Sequence, residues 1–133
     1  ASFILAGQVR GGKLRLFQIY DAGNFIEAMG DTIYFQIGEV KYGKPILDRV
    51  LRRQTGLKDA AKCALISFDS TMRSNVSVGP PIDLMIYRRD TLSRAFTIRL
   101  EEDDAYLQEL REGWGTALLE AFHNVGHEPG WVL

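Results

Sequence analysis

The stretch that most constrains the fold runs from residue 55 to residue 87, where a helical pattern meets a strand pattern. Apolar residues recur at helical spacing in its first part: Leu57, Ala60, Ala61, Ala64, Leu65 and Phe68. Thr55 is predicted to cap this helix, and Asp59 lies in the first turn, where the helix dipole favours negative charge. We therefore expect a helix that lies close to a sheet through a face of small residues.

Polar residues follow this apolar helix: Asp69, Ser70, Thr71, Arg73, Ser74, Asn75 and Ser77. Because such side chains hydrogen-bond nearby backbone, the helix is expected to end after Phe68. Gly79-Pro80-Pro81 then excludes helix, and residues 82–87 predict a buried strand. A polar turn between a buried helix and a buried strand is a common place for a functional site, although these residues can also serve only to end the helix.

The rest of the chain alternates strand and helix patterns. Four antiparallel strands are predicted, at 3–9, 14–20, 25–29 and 32–37, then a helix that starts near Pro45. After the strand at 82–87, residues 93–100 predict its antiparallel partner. The four acidic residues at 101–104 open a last helix, whose apolar face would be Tyr106, Leu107, Leu110, Trp114, Leu118 and Phe122. This order predicts one α+β domain over residues 1–133, with a sheet covered by helices on one face and by another sheet on the other.

Composition excludes several function classes. The formal net charge of −1 gives no basic surplus for nucleic acid, and no apolar run approaches the roughly 20 residues of a membrane helix. The single cysteine, Cys63, fits a reducing compartment, so a cytoplasmic protein is expected. His123 and His127 are four residues apart, but Gly126 is expected to end the helix between them, so no metal or cofactor is predicted.

Three segments resemble one known family. The first is SFDSTMRSNVSVGPPIDL (67–84), which is similar to the part of proteasome β subunits where Asp-Ser-x-Ser-Gly-Gly precedes Ile-Asp. It is closer still to the bacterial proteasome-like peptidases called Anbu, the ancestral β-subunit family. FQIGEVKYGKPILDR (35–49) and AGNFIEA (22–28) also resemble that family, in the same order along the chain.

The resemblance implies part of a four-layer αββα sandwich of the N-terminal nucleophile hydrolase type, the fold of proteasome β subunits. Since the chain enters a strand at once, at Phe3, we expect it to be the C-terminal half of a longer subunit. That subunit would hydrolyse peptide bonds of a peptide or unfolded protein through an N-terminal Thr or Ser, which this chain lacks. It would assemble with copies of itself into a ring or an open helical stack, and this chain alone is expected to be inactive.

The family's supporting residues are carried over by position. In proteasome β subunits the polar turn supplies an Asp and a Ser that fix the terminal amine. With a one-residue gap at Pro80-Pro81, Ser77 matches the Ser and Ser74 the Asp; without a gap, Asn75 matches the Asp. Asp69 matches by type but lies about one turn earlier, and is kept as a further candidate.

A second site is the turn Gly38-Glu39, where the family has Gly-Ser beside the nucleophile. Glu39 could accept a hydrogen bond from a terminal ammonium, or could simply lie near a helix start. These departures leave open a non-catalytic assembly subunit, since proteasome α-type subunits share the fold without the nucleophile. A free-standing α+β binding domain is a third hypothesis.

Overall fold

The first sheet occupies the N-terminal part of the chain. A computed structural model describes residues 1–93 and 95–131. Strands β1 (Phe3–Gly7), β2 (Arg15–Ile19) and β3 (Phe25–Glu27) pair antiparallel in that order, with Phe3 opposite Ile19 and Phe17 opposite Glu27. Three of the four predicted strands are therefore confirmed, each shorter than its pattern suggested.

The predicted fourth strand, residues 32–37, is wrong. This segment pairs with neither sheet in the structure. After β3 the chain turns at Gly30, whose φ is 58°, and the amide of Thr32 donates to the carbonyl of Met29 at 3.1 Å. The apolar side chains beyond the turn, Ile33 and Phe35, line a groove together with the next helix. Their alternation is thus satisfied by contact with a helix rather than by strand pairing.

Two helices follow, α1 (Lys44–Val50) and α2 (Leu57–Ser74). Thr55 does not cap α2 as predicted: Gly56 is the N-cap residue and makes no side-chain cap. The hydroxyl of Thr55 instead accepts from the backbone amide of Arg52 at 2.9 Å, within the turn between the helices.

Helix α2 also continues six residues beyond its predicted end at Phe68. The hydroxyls of Ser67 and Thr71 donate to the carbonyls of Ala64 and Ser67, at 2.7 and 2.8 Å. Each hydroxyl therefore bonds a carbonyl one turn earlier in the same helix, which lets polar residues remain helical. The polar stretch that we expected to be a turn is thus mostly the last part of α2.

Helix α2 lies between α1 and α3 (Ala105–Asn124). Towards α1, a Cβ added to Gly43 would lie 3.1 Å from the Cβ of Ser67. Towards α3, the buried carboxylate of Asp69 pairs with Arg111. Ser67 and Asp69 are two residues apart, about 200° around the helix, so they occupy opposite sides of α2.

The second sheet joins β4 (Ile82–Ile86) and β5 (Phe96–Leu100), with Ile82 opposite Leu100. Both strands were predicted; the predicted range of β5 included Arg94, which lies outside the described residues. The side chain of Asp104 accepts from the amides of Tyr106 and Leu107, so the acidic run caps α3 rather than forming its first turn. The main core consists of Leu65, Ile82, Leu100 and Leu107.

The α+β class is confirmed, and the core is small. Of the predicted apolar face of α3, Leu107 is buried, whereas Leu118 and Phe122 are 50% and 73% exposed. The first sheet likewise exposes Phe3 and Phe25, at 59% and 64%. Among the described residues no helix is both long and apolar enough to cross a membrane. Large apolar faces of a sheet and a helix therefore remain uncovered in this chain.

Candidate functional site

The turn before α1 places Glu39. Gly38 has a φ of +77°, a conformation that L residues rarely adopt, and this turn redirects the chain from the 32–37 segment towards α1. The carboxylate of Glu39 then accepts from the backbone amide of Lys41 at 3.1 Å. This bond, together with a hydrogen bond from Asn75, lowers the pKa of Glu39 below its ordinary value. Glu39 is therefore a carboxylate at neutral pH.

The C-terminal end of α2 places the partners of Glu39. Asn75 is the C-cap residue of α2, and its Nδ2 donates to Oε2 of Glu39 at 3.2 Å. Its Oδ1 accepts twice from Ser77, from the backbone amide at 2.9 Å and from the hydroxyl at 2.6 Å. The structure thus brings Glu39 and Ser77 together through Asn75, and we call these three residues the Glu39–Asn75–Ser77 cluster.

The direction of each hydrogen bond in the cluster follows from the backbone. The amide N–H of Ser77 can only donate, so the atom of Asn75 that faces it must be the carbonyl oxygen. The NH₂ group of Asn75 then faces Glu39, a carboxylate that can only accept. Because the hydroxyl of Ser77 already donates its hydrogen bond to Asn75, its oxygen can only accept further hydrogen bonds. The cluster therefore offers acceptors, and suits a cationic or hydrogen-bond-donating group.

A groove of about 510 Å³ begins at this cluster and runs between the first sheet and α2. Glu39 and Thr71 contribute polar groups to its wall, while Ile4, Phe68 and Val78 make it largely apolar. The acceptors of Glu39 thus lie at the edge of an apolar depression, where a donor would meet less competition from water.

The other predicted site residues lie elsewhere. Ser74 is the last residue of α2 and is exposed. The carboxylate of Asp69 accepts from Nε of Arg111 at 2.6 Å and from Nε of Arg73 at 3.3 Å. Asp69 therefore contacts two arginines on the α3 side of α2, and its role as a supporting residue, like that of Ser74, stays a prediction.

The sequence analysis did not predict that Asn75 would join Glu39 and Ser77. It considered Asn75 only as an ungapped match to the family's Asp, whereas the structure puts its amide at the centre of the cluster. The available signal was the Asn-x-Ser spacing, since an Asn side chain often bonds the backbone amide two residues on. The contact of Asn75 with Glu39, 36 residues away, had no local signal.

A second polar network, around Lys44, had no signal in the sequence pattern. The ammonium of Lys44 donates to Asp48 at 2.8 Å and to the hydroxyl of Tyr34 at 3.3 Å, and Tyr34 also donates to Asp48. The hydrogen bond from Lys44, followed by that from Tyr34, lowers the pKa of Asp48, and Asp48 raises that of Lys44. This network borders a second groove, beside α1.

Solved structures are similar to this chain over nearly all of its length. A helical assembly of the Anbu complex from Pseudomonas aeruginosa is 49% identical, with a TM-score of 0.92 over 97% of this chain and 54% of that one. Anbu from Hyphomicrobium sp. strain MC1 is 55% identical, with a TM-score of 0.91 over 96% and 55%. Anbu (ancestral beta-subunit) from Yersinia bercovieri is 54% identical, with a TM-score of 0.89 over 99% and 54%.

The chain thus spans about half the length of these solved structures. Neither a family model nor a curated protein sequence matches it. The observed helices and antiparallel sheets are consistent with a fragment of the proteasome-like fold that the sequence led us to expect.

Proposed function

Because this chain belongs to the Anbu family, of whose solved members it spans about half, we propose that it is the C-terminal part of a threonine-type peptidase subunit. The complete subunit hydrolyses peptide bonds in a peptide or unfolded protein, in the cytoplasm, through an N-terminal hydroxyl outside this chain. It assembles with copies of itself, in a ring or a helical stack. The observation that carries the proposal is the Glu39–Asn75–Ser77 cluster at the edge of an apolar groove.

An N-terminal nucleophile needs what this cluster offers. In this class of enzyme the hydroxyl is activated by the terminal amine of the same residue, which acts as the base. The amine must be held by acceptors that orient it and stabilise it once it carries the proton. The Ser77 hydroxyl, with its own proton committed to Asn75, supplies one such acceptor. Ionised Glu39 supplies negative charge on the other side of Asn75.

The three residues have distinct roles in this mechanism. Ser77 accepts a hydrogen bond from the terminal amine. This bond keeps the lone pair of the amine directed at the hydroxyl proton of the same N-terminal residue. Asn75 is a positioning residue, because it fixes the hydroxyl of Ser77 and the carboxylate of Glu39 at once. Glu39 favours the ammonium that forms when the hydroxyl attacks the peptide carbonyl, and that ammonium then returns its proton to the leaving amine.

The test uses the full-length subunit and a fluorogenic peptide. Ser77→Ala removes the acceptor and is expected to lower kcat about 10²-fold, since positioned proton transfer contributes at least that much. Ser74→Ala is the matched control, because Ser74 comes from the same gapped comparison and is also exposed, but it lies outside the Glu39–Asn75–Ser77 cluster. Equal losses for the two variants would contradict the assignment of the cluster.

A second candidate function is a non-catalytic assembly subunit. It is favoured by Glu39 itself, which stands where the family places a Ser and which is already engaged by Lys41 and Asn75. A peptide epoxyketone, which reacts with an N-terminal hydroxyl and its amine, discriminates between the two functions. Covalent labelling of the full-length subunit supports the peptidase, whereas an unlabelled subunit that still assembles supports the assembly role.

A further inference from the structure

The second half of α3 is exposed in the described part of the chain. Its first half packs against the core through buried Leu107 and through Leu110. The same helical spacing continues into the second half, where Leu118, Leu119 and Phe122 are 50%, 60% and 73% exposed. We call these three residues the α3 stripe. An apolar stripe of this size on an exposed helix indicates a surface that is covered by another protein segment.

A partly apolar groove that could bind such a stripe lies beside α1. It has a volume of about 640 Å³ and runs between the 31–36 segment and α1. Ile33, Leu47 and Leu51 contribute to its apolar part. Its charged lining residues are Lys44, Arg52, Arg53, Asp31 and Asp48. We call it the α1 groove. An amphipathic helix commonly binds such a groove through side chains spaced three and four residues apart, as Leu118, Leu119 and Phe122 are.

The two surfaces lie in segments of the chain that carry opposite net charge. Between residues 41 and 62 the sequence has seven basic side chains against two acidic ones. Between residues 101 and 128 it has eight acidic side chains against one arginine. The net charge of the chain, −1, conceals this division. Complementary charge of this kind steers one surface towards the other and fixes their register.

The α3 stripe cannot reach the α1 groove of its own chain. Helix α2 lies between α1 and α3, with Ser67 on the α1 side and Asp69 held by Arg111 on the α3 side. A contact between the stripe and the groove must therefore join two molecules. Since it uses different surfaces on the two copies, it is a head-to-tail contact, which generates a closed ring or an open helix.

We propose that the α3 stripe of one copy docks into the α1 groove of the next copy, and that this contact propagates the assembly. The proposal rests on the self-assembly proposed above and assigns the surfaces that carry it. One similar solved structure, from Pseudomonas aeruginosa, is a helical assembly, which is one of the two arrangements that a head-to-tail contact produces.

Charge reversal in the full-length subunit tests the proposal. Glu112 lies two turns before Leu119 on the same side of α3, and Arg53 borders the α1 groove. Glu112→Arg or Arg53→Glu alone is expected to raise the protein concentration needed for assembly at least tenfold, measured by sedimentation velocity, because like charges then face each other. The double variant Glu112→Arg/Arg53→Glu restores opposite charges and should recover most of the assembly.

Glu120 provides a matched control on the same helix. It lies two residues from Leu118, about 200° around α3 and therefore away from the stripe. Glu120→Arg should assemble as the unmodified subunit does. Single reversals at Glu112 and Arg53 that assemble normally would overturn the docking proposal while leaving self-assembly intact. An unmodified subunit that stays monomeric would overturn the proposed self-assembly itself.

Cross-linking tests the head-to-tail geometry directly. The full-length variant Phe122→Cys/Ile33→Cys, treated with a short bis-maleimide, should give a ladder of covalent dimers, trimers and longer species. The native thiol of this chain, Cys63, is 2% exposed and should not react, and the full-length subunit without the two introduced cysteines is the control for any other thiol. Linked dimers without larger products would indicate a two-fold contact and contradict the proposal. Absence of cross-links in an assembled sample would mean that the stripe is covered by another part of the same subunit, and would also contradict it.

Discussion

The carboxylate of Asp69 on α2 accepts a hydrogen bond of 2.6 Å from Nε of Arg111 on α3, and this bond joins the two helices. The side chain of Asp69 is 7% exposed, whereas that of Arg111 is 39% exposed. Removal of the arginine therefore leaves a nearly buried carboxylate with a weaker partner, Arg73, at 3.3 Å. The bond is a tertiary contact, which explains why Asp69 could not be assigned from its position in the polar stretch.

Arg111→Ala is expected to destabilise the full-length subunit by about 2 kcal/mol, since a hydrogen bond between charged groups is lost and a buried acceptor is left poorly paired. Arg73→Ala should cost less than about 1 kcal/mol, because Arg73 is largely exposed and its bond to Asp69 is long. Urea unfolding measures both changes. Equal losses for the two variants would contradict the ranking.

Gly43→Ala is expected to loosen the contact between α1 and α2. The added Cβ would lie 3.1 Å from the Cβ and 3.2 Å from the carbonyl oxygen of Ser67, so one of the helices must shift. Such overpacking costs about 1–3 kcal/mol. The control is Gly115→Ala in α3, where a Cβ meets nothing within 4 Å, and which should stabilise by up to about 1 kcal/mol. Thermal unfolding of the two variants should therefore shift in opposite directions.

The network around Asp48 predicts a pH dependence at the α1 groove. Hydrogen bonds from Lys44 and Tyr34 lower the pKa of Asp48 below its ordinary value of 3.8. Because its pKa is lowered, ionised Asp48 stabilises the folded protein above pH 3.8. This contribution to folding stability is lost as the pH falls through the lowered pKa. Lys44→Met should move the pKa of Asp48 back up, and NMR titration of its carboxyl carbon measures the shift. An unchanged pKa would show that Lys44 does not hold Asp48 in solution.

The carboxylate of Glu39 is expected to titrate independently of Asp48. The backbone amide of Lys41 and the side chain of Asn75 lower its pKa below the ordinary 4.5, so its hydrogen bonds are kept above pH 4.5 and lost as the pH falls through the lowered value. Asn75→Leu removes one of these bonds and should raise the pKa of Glu39. If the proposed function holds, the same variant lowers kcat in the full-length subunit, because Ser77 loses its partner as well.

Local patterns were enough for much of the fold. The strand and helix patterns predicted seven of the eight observed elements close to their positions in the structure. For the eighth, α2, the predicted start is correct to within two residues. They failed where a local rule competed with a distant contact. Residues 32–37 alternate like a strand but lie over α1, and the serines and threonine of α2 bond carbonyls of the preceding turn instead of ending the helix.

The site was predictable only in part, for a related reason. Family resemblance pointed to Glu39 and Ser77, but it gave no way to choose between registers that differ by one residue. The contacts that join Glu39 and Ser77 run through the side chain of Asn75, which bonds Ser77 two residues away and Glu39 on a separate loop. Sequence spacing encodes the first of these contacts and not the second.

The position of α2 between two helices has a mechanical consequence. Asn75 follows Asp69 by six residues, about 9 Å along the helix axis. A helix of 18 residues moves as a rigid rod, so whatever displaces α3 through Arg111 also displaces the end of α2 that carries Asn75. If the proposed function and docking hold, a neighbouring molecule that displaced α3 would change the position of Ser77, and isolated and assembled copies would then differ in how well they hold a terminal amine.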